Sequence, residues 1–190
     1  MGKLTFGGKK KRINYELLRV SLVWTFRVLV VCFLAFVCVW YYGFEVSMIG
    51  DSMQPRLCNG DTTLLNRLVY DMSSPKRGDV IAFRPNGNEN SHYYIKRVIG
   101  LPGETVELRD GELYVNNKKI KEKYETTEMK EVGLLKEPIT LGKNEFFVLG
   151  DDRQNSEDSR MADVGNVKRS EIAGKIWFVV SPASNWGFVK

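Results

Sequence analysis

Histidine is almost missing from this chain: His92 is the only one in 190 residues. A serine–histidine scheme would have a single imidazole to draw on, and its setting, "NENSHYY", is polar and loop-like. Cysteine is nearly as scarce. Cys32 and Cys38 lie inside an apolar run and Cys58 stands alone beyond it, so no intramolecular disulfide can staple the rest of the chain and core packing must hold it. Nothing basic adjoins Cys58, which favours an inert thiol over a nucleophile. There is no internal repeat and no low-complexity tract, and after residue 45 no helical period persists for long.

Surplus positive charge is missing from most of the molecule as well, although the net charge is +5. Residues 1–27 hold Lys3, Lys9, Lys10, Lys11, Arg12, Arg19 and Arg27 against one acid, Glu16. Taking those seven bases from 28 and that acid from 23 leaves 21 against 22, so the body is near neutral. A nucleic-acid surface would place its bases on the folded domain. No nucleic-acid partner is expected.

What is present begins with the run that follows the basic arm. "VLVVCFLAFVCVWYYGF" (28–44) carries no charge, and extension back to Val20 adds only Arg27. Seventeen helical residues span roughly 26 Å and twenty-five roughly 37 Å, bracketing a hydrocarbon core of about 30 Å. Trp40, Tyr41 and Tyr42 gather at its end, as interfacial aromatics do. The upstream bases predict a cytoplasmic N-terminus and everything after about residue 45 outside. A cleavable leader is disfavoured, because bulky residues follow the run where cleavage requires small ones. The expected division is a basic cytoplasmic arm (1–19), a transmembrane anchor (20–44) and an extracytoplasmic β domain (45–190).

In that last part, short alternating runs separated by Gly, Pro, Asn and Asp read as strands: 79–84, 93–100, 105–116, 146–150 and 175–180. Asp110-Gly111 is a two-residue hairpin signal. Residues 118–143 are polar and charged and read as a mobile elaboration of that hairpin, so that 105–143 forms an insert. The fold class is mainly β, tethered by one N-terminal helix.

Two stretches carry chemistry. "GDSMQP" (50–55) places Ser52 among turn formers, and a plain turn is the simpler reading. A serine nucleophile needs a neighbouring base. In "YYIKRVIG", alternation sends Tyr94, Lys96 and Val98 to one face and Ile95, Arg97 and Ile99 to the other. Lys96 is either an ordinary edge-strand lysine or a base made neutral by burial, which lowers a lysine pKa by as much as about 3–5 units.

Four segments in order, "GDSMQP", "RGDVIAF" (77–83), "YIKRVIGLPGE" (94–104) and "GDDRQNSEDSR" (150–160), behind an apolar anchor, resemble the type I signal peptidases. These are membrane-bound Ser/Lys endopeptidases, and the size and single span resemble their short Gram-positive form. The resemblance implies removal of signal peptides from exported preproteins after small residues (Ala-x-Ala-like), at the membrane lipid surface, with no cofactor and no metal. It implies Ser52 as nucleophile and Lys96 as general base. It places Ser156 where a second hydroxyl orients the lysine, Asp158 and Arg160 as a bracing pair, Gly150 and Asp151 in the supporting turn, and Arg97 in a structural role. Met48, Gly50, Met53, Leu57, Tyr94 and Ile95 match positions lining the substrate cleft, although core packing explains each apolar one equally well. Two departures stand out. Arg56 replaces the usual threonine after the proline, and Gly50 stands where some relatives have a serine that supports the oxyanion. Self-cleaving repressor-type peptidases share the dyad but lack such a span, and an idle relative acting as an assembly chaperone should have lost Ser52 or Lys96.

Overall fold

The computed structural model describes residues 15–189. The arm's Lys3, Lys9, Lys10, Lys11 and Arg12 lie outside the described residues. The chain divides into two compact units, 1–39 and 40–190. The first is helix α1 (Tyr15–Tyr42), which runs on into the second at its last three residues. It starts earlier than the apolar run and stops at Gly43, so that Phe44, taken from the sequence as the end of the span, instead opens a strand. No residue of α1 is buried, and 28 helical residues are long enough to cross a bilayer. Its mean composition is apolar, with its charges confined to Glu16, Arg19 and Arg27 in the first half, as a lipid environment accommodates.

The second unit is built on two antiparallel sheets. In chain order its elements are β1 (Phe44–Ser47), β2 (Thr62–Asn66), a single helical turn α2 (Val69–Met72), β3 (Val80–Phe83), β4 (Tyr94–Gly100), β5 (Thr105–Arg109), β6 (Glu112–Val115), β7 (Lys118–Lys119), β8 (Ile139–Thr140), β9 (Glu145–Leu149), β10 (Val167–Lys168), β11 (Ile172–Ser181) and β12 (Gly187–Phe188). The larger sheet runs β1-β2-β11-β3-β4-β9-β10, with β12 also on β11, and the smaller runs β7-β6-β5-β8. The fold is mainly β with one N-terminal apolar helix, as the patterning predicts. Asp110 and Gly111 both have positive φ, 51° and 79°, the geometry of the expected hairpin turn.

Three apolar clusters hold the sheets. One joins Met53 and Leu57 to Leu65, Ile95 and Ile176; a second groups Phe83, Val98, Phe146 and Val148; a third seats the smaller sheet on Ile99, Phe147 and Leu149. Residues 118–143, expected from their polar composition to be a mobile elaboration, are tied to the core at several points. Leu135 and Leu141 are buried in the third cluster, and Ile120, Tyr124 and Met129 pack against it. Between β7 and the 3₁₀ turn at Gly133–Lys136 the chain belongs to no sheet ladder.

β4 matters most for position. Residues 94–97 pair with β3, whereas pairing with β9 begins only at Arg97. Tyr94, Ile95 and Lys96 therefore have one paired edge and one open edge. β1 is similarly paired only to β2, and the chain continues from it through Met48 to Gly50.

Candidate active site

A cleft of about 480 Å³ lies between these two open edges. Met48, Gly50, Ser52, Tyr94, Ile95 and Lys96 are among the residues lining it, with Ser156 and Glu157 from the loop after β9. Ser52 sits in the turn that follows β1, where Gly50, at φ +80°, reverses the chain. Its backbone N–H donates to no acceptor among the described residues, while its carbonyl accepts from the Asp152 N–H at 3.1 Å. Nζ of Lys96 lies 2.6 Å from Oγ of Ser52, and both side chains are buried. The amine donates in this contact when charged; when neutral it can accept the hydroxyl proton instead.

Burial pushes the Lys96 pKa down to about 8, opposed by the carboxylates of Asp158 and Glu157 and assisted by the Arg160 guanidinium. The ring of Tyr94 lies 5.5 Å from the amine, on the same face of the strand that alternation assigns to both. At pH 7 a group of that pKa is about one-tenth neutral, some two-hundred-fold more than at the ordinary value.

The loop 150–160 closes the far side. Gly150 is there because nothing larger fits: a Cβ would lie 2.3 Å from Oγ of Ser156 and 2.4 Å from the Ser52 carbonyl oxygen. Asp158 accepts from the Gly150 N–H at 3.1 Å and from both Nε and Nη2 of Arg160, at 2.8 and 2.9 Å. Asp151 accepts from Nε and Nη2 of Arg97 at 2.7 and 2.6 Å, and Arg97 also donates to the Gly78 carbonyl. Both ion pairs are buried. Ser156 is buried beside Ser52 and Lys96, yet its Oγ has no hydrogen-bond partner among the described residues and makes no bond to the lysine amine.

Comparison with known proteins matches the sequence over most of its length. The family model for signal peptidase, peptidase S26, matches residues 21–181. The chain belongs to this family. Signal peptidase I P of Bacillus subtilis subsp. natto is 39% identical over 143 residues, 72% of this chain and 75% of that protein. Signal peptidase I T of Bacillus subtilis (strain 168) is 35% identical over 164 residues, 82% and 83% of the two chains. A crystal structure of a signal peptidase I from Enterococcus faecalis V583 aligns with 54% of this chain and 97% of its own, at 36% identity and a TM-score of 0.44. Family members are serine endopeptidases that cleave signal peptides.

Within this signal peptidase, two residues matched to the cleft from sequence lie elsewhere. Met53 and Leu57 are fully buried in the first apolar cluster and do not line the cleft, because the turn after Ser52 directs them under β11 and β2. Exposed Ile49 and half-buried Tyr93 line it and were not anticipated. His92 also lines it, exposed and stacked on Tyr94 at 5.1 Å, with no hydrogen bond to Ser52. Arg56 points away: its guanidinium donates to the carbonyl of Phe188 on β12. Gly50 has open space around it, but its positive φ would strain a serine there. No three-residue cluster of metal-ligating side chains occurs among the described residues.

Proposed function

We propose that this chain removes signal peptides from exported preproteins with Ser52 as nucleophile and Lys96 as general base. The observation that carries this is the 2.6 Å contact between a buried lysine of lowered pKa and a serine at the edge of an open cleft. Oγ of Ser52 attacks the scissile carbonyl carbon as its proton passes to Nζ of Lys96. The carbon–nitrogen bond then breaks, and the departing amine of the mature protein takes that proton. Water attacks the resulting ester, Lys96 accepts a proton from it, and the acid product leaves with Ser52 restored. With glycine at position 50, the free N–H of Ser52 is the donor best placed for the developing oxyanion, a contribution worth about 2.7–4 kcal/mol in such sites.

The open edges at 48–50 and 94–96 suit a precursor bound as an extended strand, pairing its backbone on both sides and alternating its side chains between pockets. Ser156 is assigned as the hydroxyl that takes up the amine once Ser52 is acylated, Asp158–Arg160 as the brace of that corner, and Asp151–Arg97 as the brace beneath it. Arm 1–19 belongs in the cytoplasm and the catalytic domain outside, on the strength of the charge bias; α1 keeps the enzyme at the membrane where its substrates emerge.

The test is cleavage of a purified precursor by the full chain in lipid vesicles, with product N-termini read by mass spectrometry. Cleavage after a small residue, lost in a folded Ser52→Ala variant, is expected. Normal cleavage by that variant would overturn the assignment.

A further inference from the structure

Residues 120–136 run along the outer side of the loop 150–160 without joining a sheet, and side chains bind them there. In 120–126 the chain alternates: Ile120, Glu122, Tyr124 and Thr126 are half-buried, while Lys121, Lys123 and Glu125 are exposed. Glu122, Tyr124 and the exposed Thr127 meet charged residues of the loop and of β4. Glu122 pairs with Arg153, an arginine only 4% exposed, whose Nε donates to the Gly150 carbonyl at 3.0 Å. The Tyr124 hydroxyl donates to Glu122 at 3.0 Å, and its ring lies 4.0 Å from the Arg97 guanidinium that holds Asp151. Thr127 donates through Oγ1 to Asp152 at 2.8 Å and through its N–H to the Asp151 carbonyl at 3.2 Å. Further along, Arg160 donates to the Glu131 carbonyl and accepts from the Leu134 N–H, both at 2.8 Å.

We propose that residues 120–136 form a positioning strap for the reaction centre, with Glu122 as its principal positioning residue acting through Arg153. The reason is the tolerance at Gly150. Its Cα packs against both Ser52 and Ser156 so closely that not even a methyl group fits, and the next-but-one residue, Asp152, donates to the Ser52 carbonyl. A displacement of the loop therefore transmits directly to the serine, and a misplacement of about 1 Å can cost about 10²-fold in rate. The larger sheet holds the loop at Asp151 through Arg97 and at Ser159 through Val148, and the strap holds it at Arg153, Asp152 and Arg160. Glu122 also neutralises Arg153, which would otherwise be a buried cation seeking carboxylates, with Asp151 and Asp152 at hand in the same loop.

This inference rests on the Ser52/Lys96 reading, and the experiment separates the two. Precursor cleavage is measured for the full chain in vesicles, per mole of folded enzyme, alongside the thermal midpoint. Glu122→Ala is expected to lower kcat about tenfold with KM changed less than twofold. Glu122→Gln keeps an acceptor for Arg153 and should recover at least half of kcat. The double variant Glu122→Ala/Arg153→Met removes the unpaired charge, so its thermal midpoint should return towards wild type while kcat stays low. Rate tracking stability across the three, or full kcat in folded Glu122→Ala, would overturn the strap. If Glu122→Ala does not fold, Thr127→Val and Tyr124→Leu take its place: a several-fold loss of kcat at constant KM supports the strap, and unchanged kcat overturns it. A cleaving Ser52→Ala control would sink the dyad instead, whatever the strap variants do.

Discussion

Lys96 and Arg97 are consecutive residues of one strand, buried to 4% and 1% exposure on opposite faces, and the chain treats their charges in opposite ways. Arg97 enters a nest made for it, with both oxygens of Asp151, the Gly78 carbonyl and the face of Tyr124. Lys96 meets a hydroxyl and a tyrosine ring and forms no ion pair within 4 Å among the described residues. A guanidinium cannot shed its proton in a protein, so its burial demands a carboxylate. An ammonium can, and burial without a counterion lowers its pKa. One strand thus holds a paired guanidinium on one face and, on the other, an unpaired amine of lowered pKa, the one proposed as the base.

Making the two sites alike should have the largest consequence. Lys96→Arg places a permanent cation where the base stands and is expected to reduce precursor cleavage by about 10³-fold or more, because the proton acceptor is lost. Residual cleavage within tenfold of wild type would mean that Lys96 is not the base. Removing the charges should then move stability in opposite directions. Arg97→Met strands the buried Asp151 carboxylate and should cost about 3–5 kcal/mol in denaturant unfolding. Lys96→Met should raise stability near pH 7 by as much as about 3 kcal/mol, the equivalent of the pKa depression. The sign follows from linkage. With a folded pKa of about 8 and an unfolded one near 10.5, the unfolded chain binds more protons between those values. Stability of the wild type should therefore climb as pH rises through that window, and the full penalty should apply below it. A flat profile there, or a destabilised Lys96→Met, would contradict the comparison. The smallest effect expected is for Ser156→Ala, which removes the hydroxyl proposed to take up the amine once Ser52 is acylated: kcat should drop about tenfold with KM little changed.

Much of this site was legible because it is written in contiguous stretches. The turn around Ser52 and the alternation of β4 are local signals, and the latter correctly puts Lys96 with Tyr94 and opposite Arg97. The strands at 44–47 and 62–66 carry no such signal, being short and flanking the motif rather than alternating over a long run. Met53 and Leu57 show why a position in a motif does not fix a direction: only the turn's geometry sends one neighbour of Ser52 to the cleft and the other to the core. The packing of 120–136 is hidden in the sequence for a related reason. The side chains that tie this segment down are Glu122, Tyr124 and Thr127, a polar set that reads as solvent-facing where the partners are buried arginines and an aspartate some thirty residues away.

The central claim is that Lys96 is a base by virtue of burial without a counterion, and its titration tests this most directly. With lysine side chains carbon-13 labelled at Cε, and Lys96 assigned by its loss in Lys96→Met, the NMR shift of this residue in the folded enzyme should titrate at about pH 8. In the Asp158→Asn variant, which removes a carboxylate that favours the charged amine and leaves Arg160 unpaired beside it, the midpoint should fall further. A midpoint at the ordinary lysine value, above pH 10, would show that the amine is charged at working pH and would contradict the account.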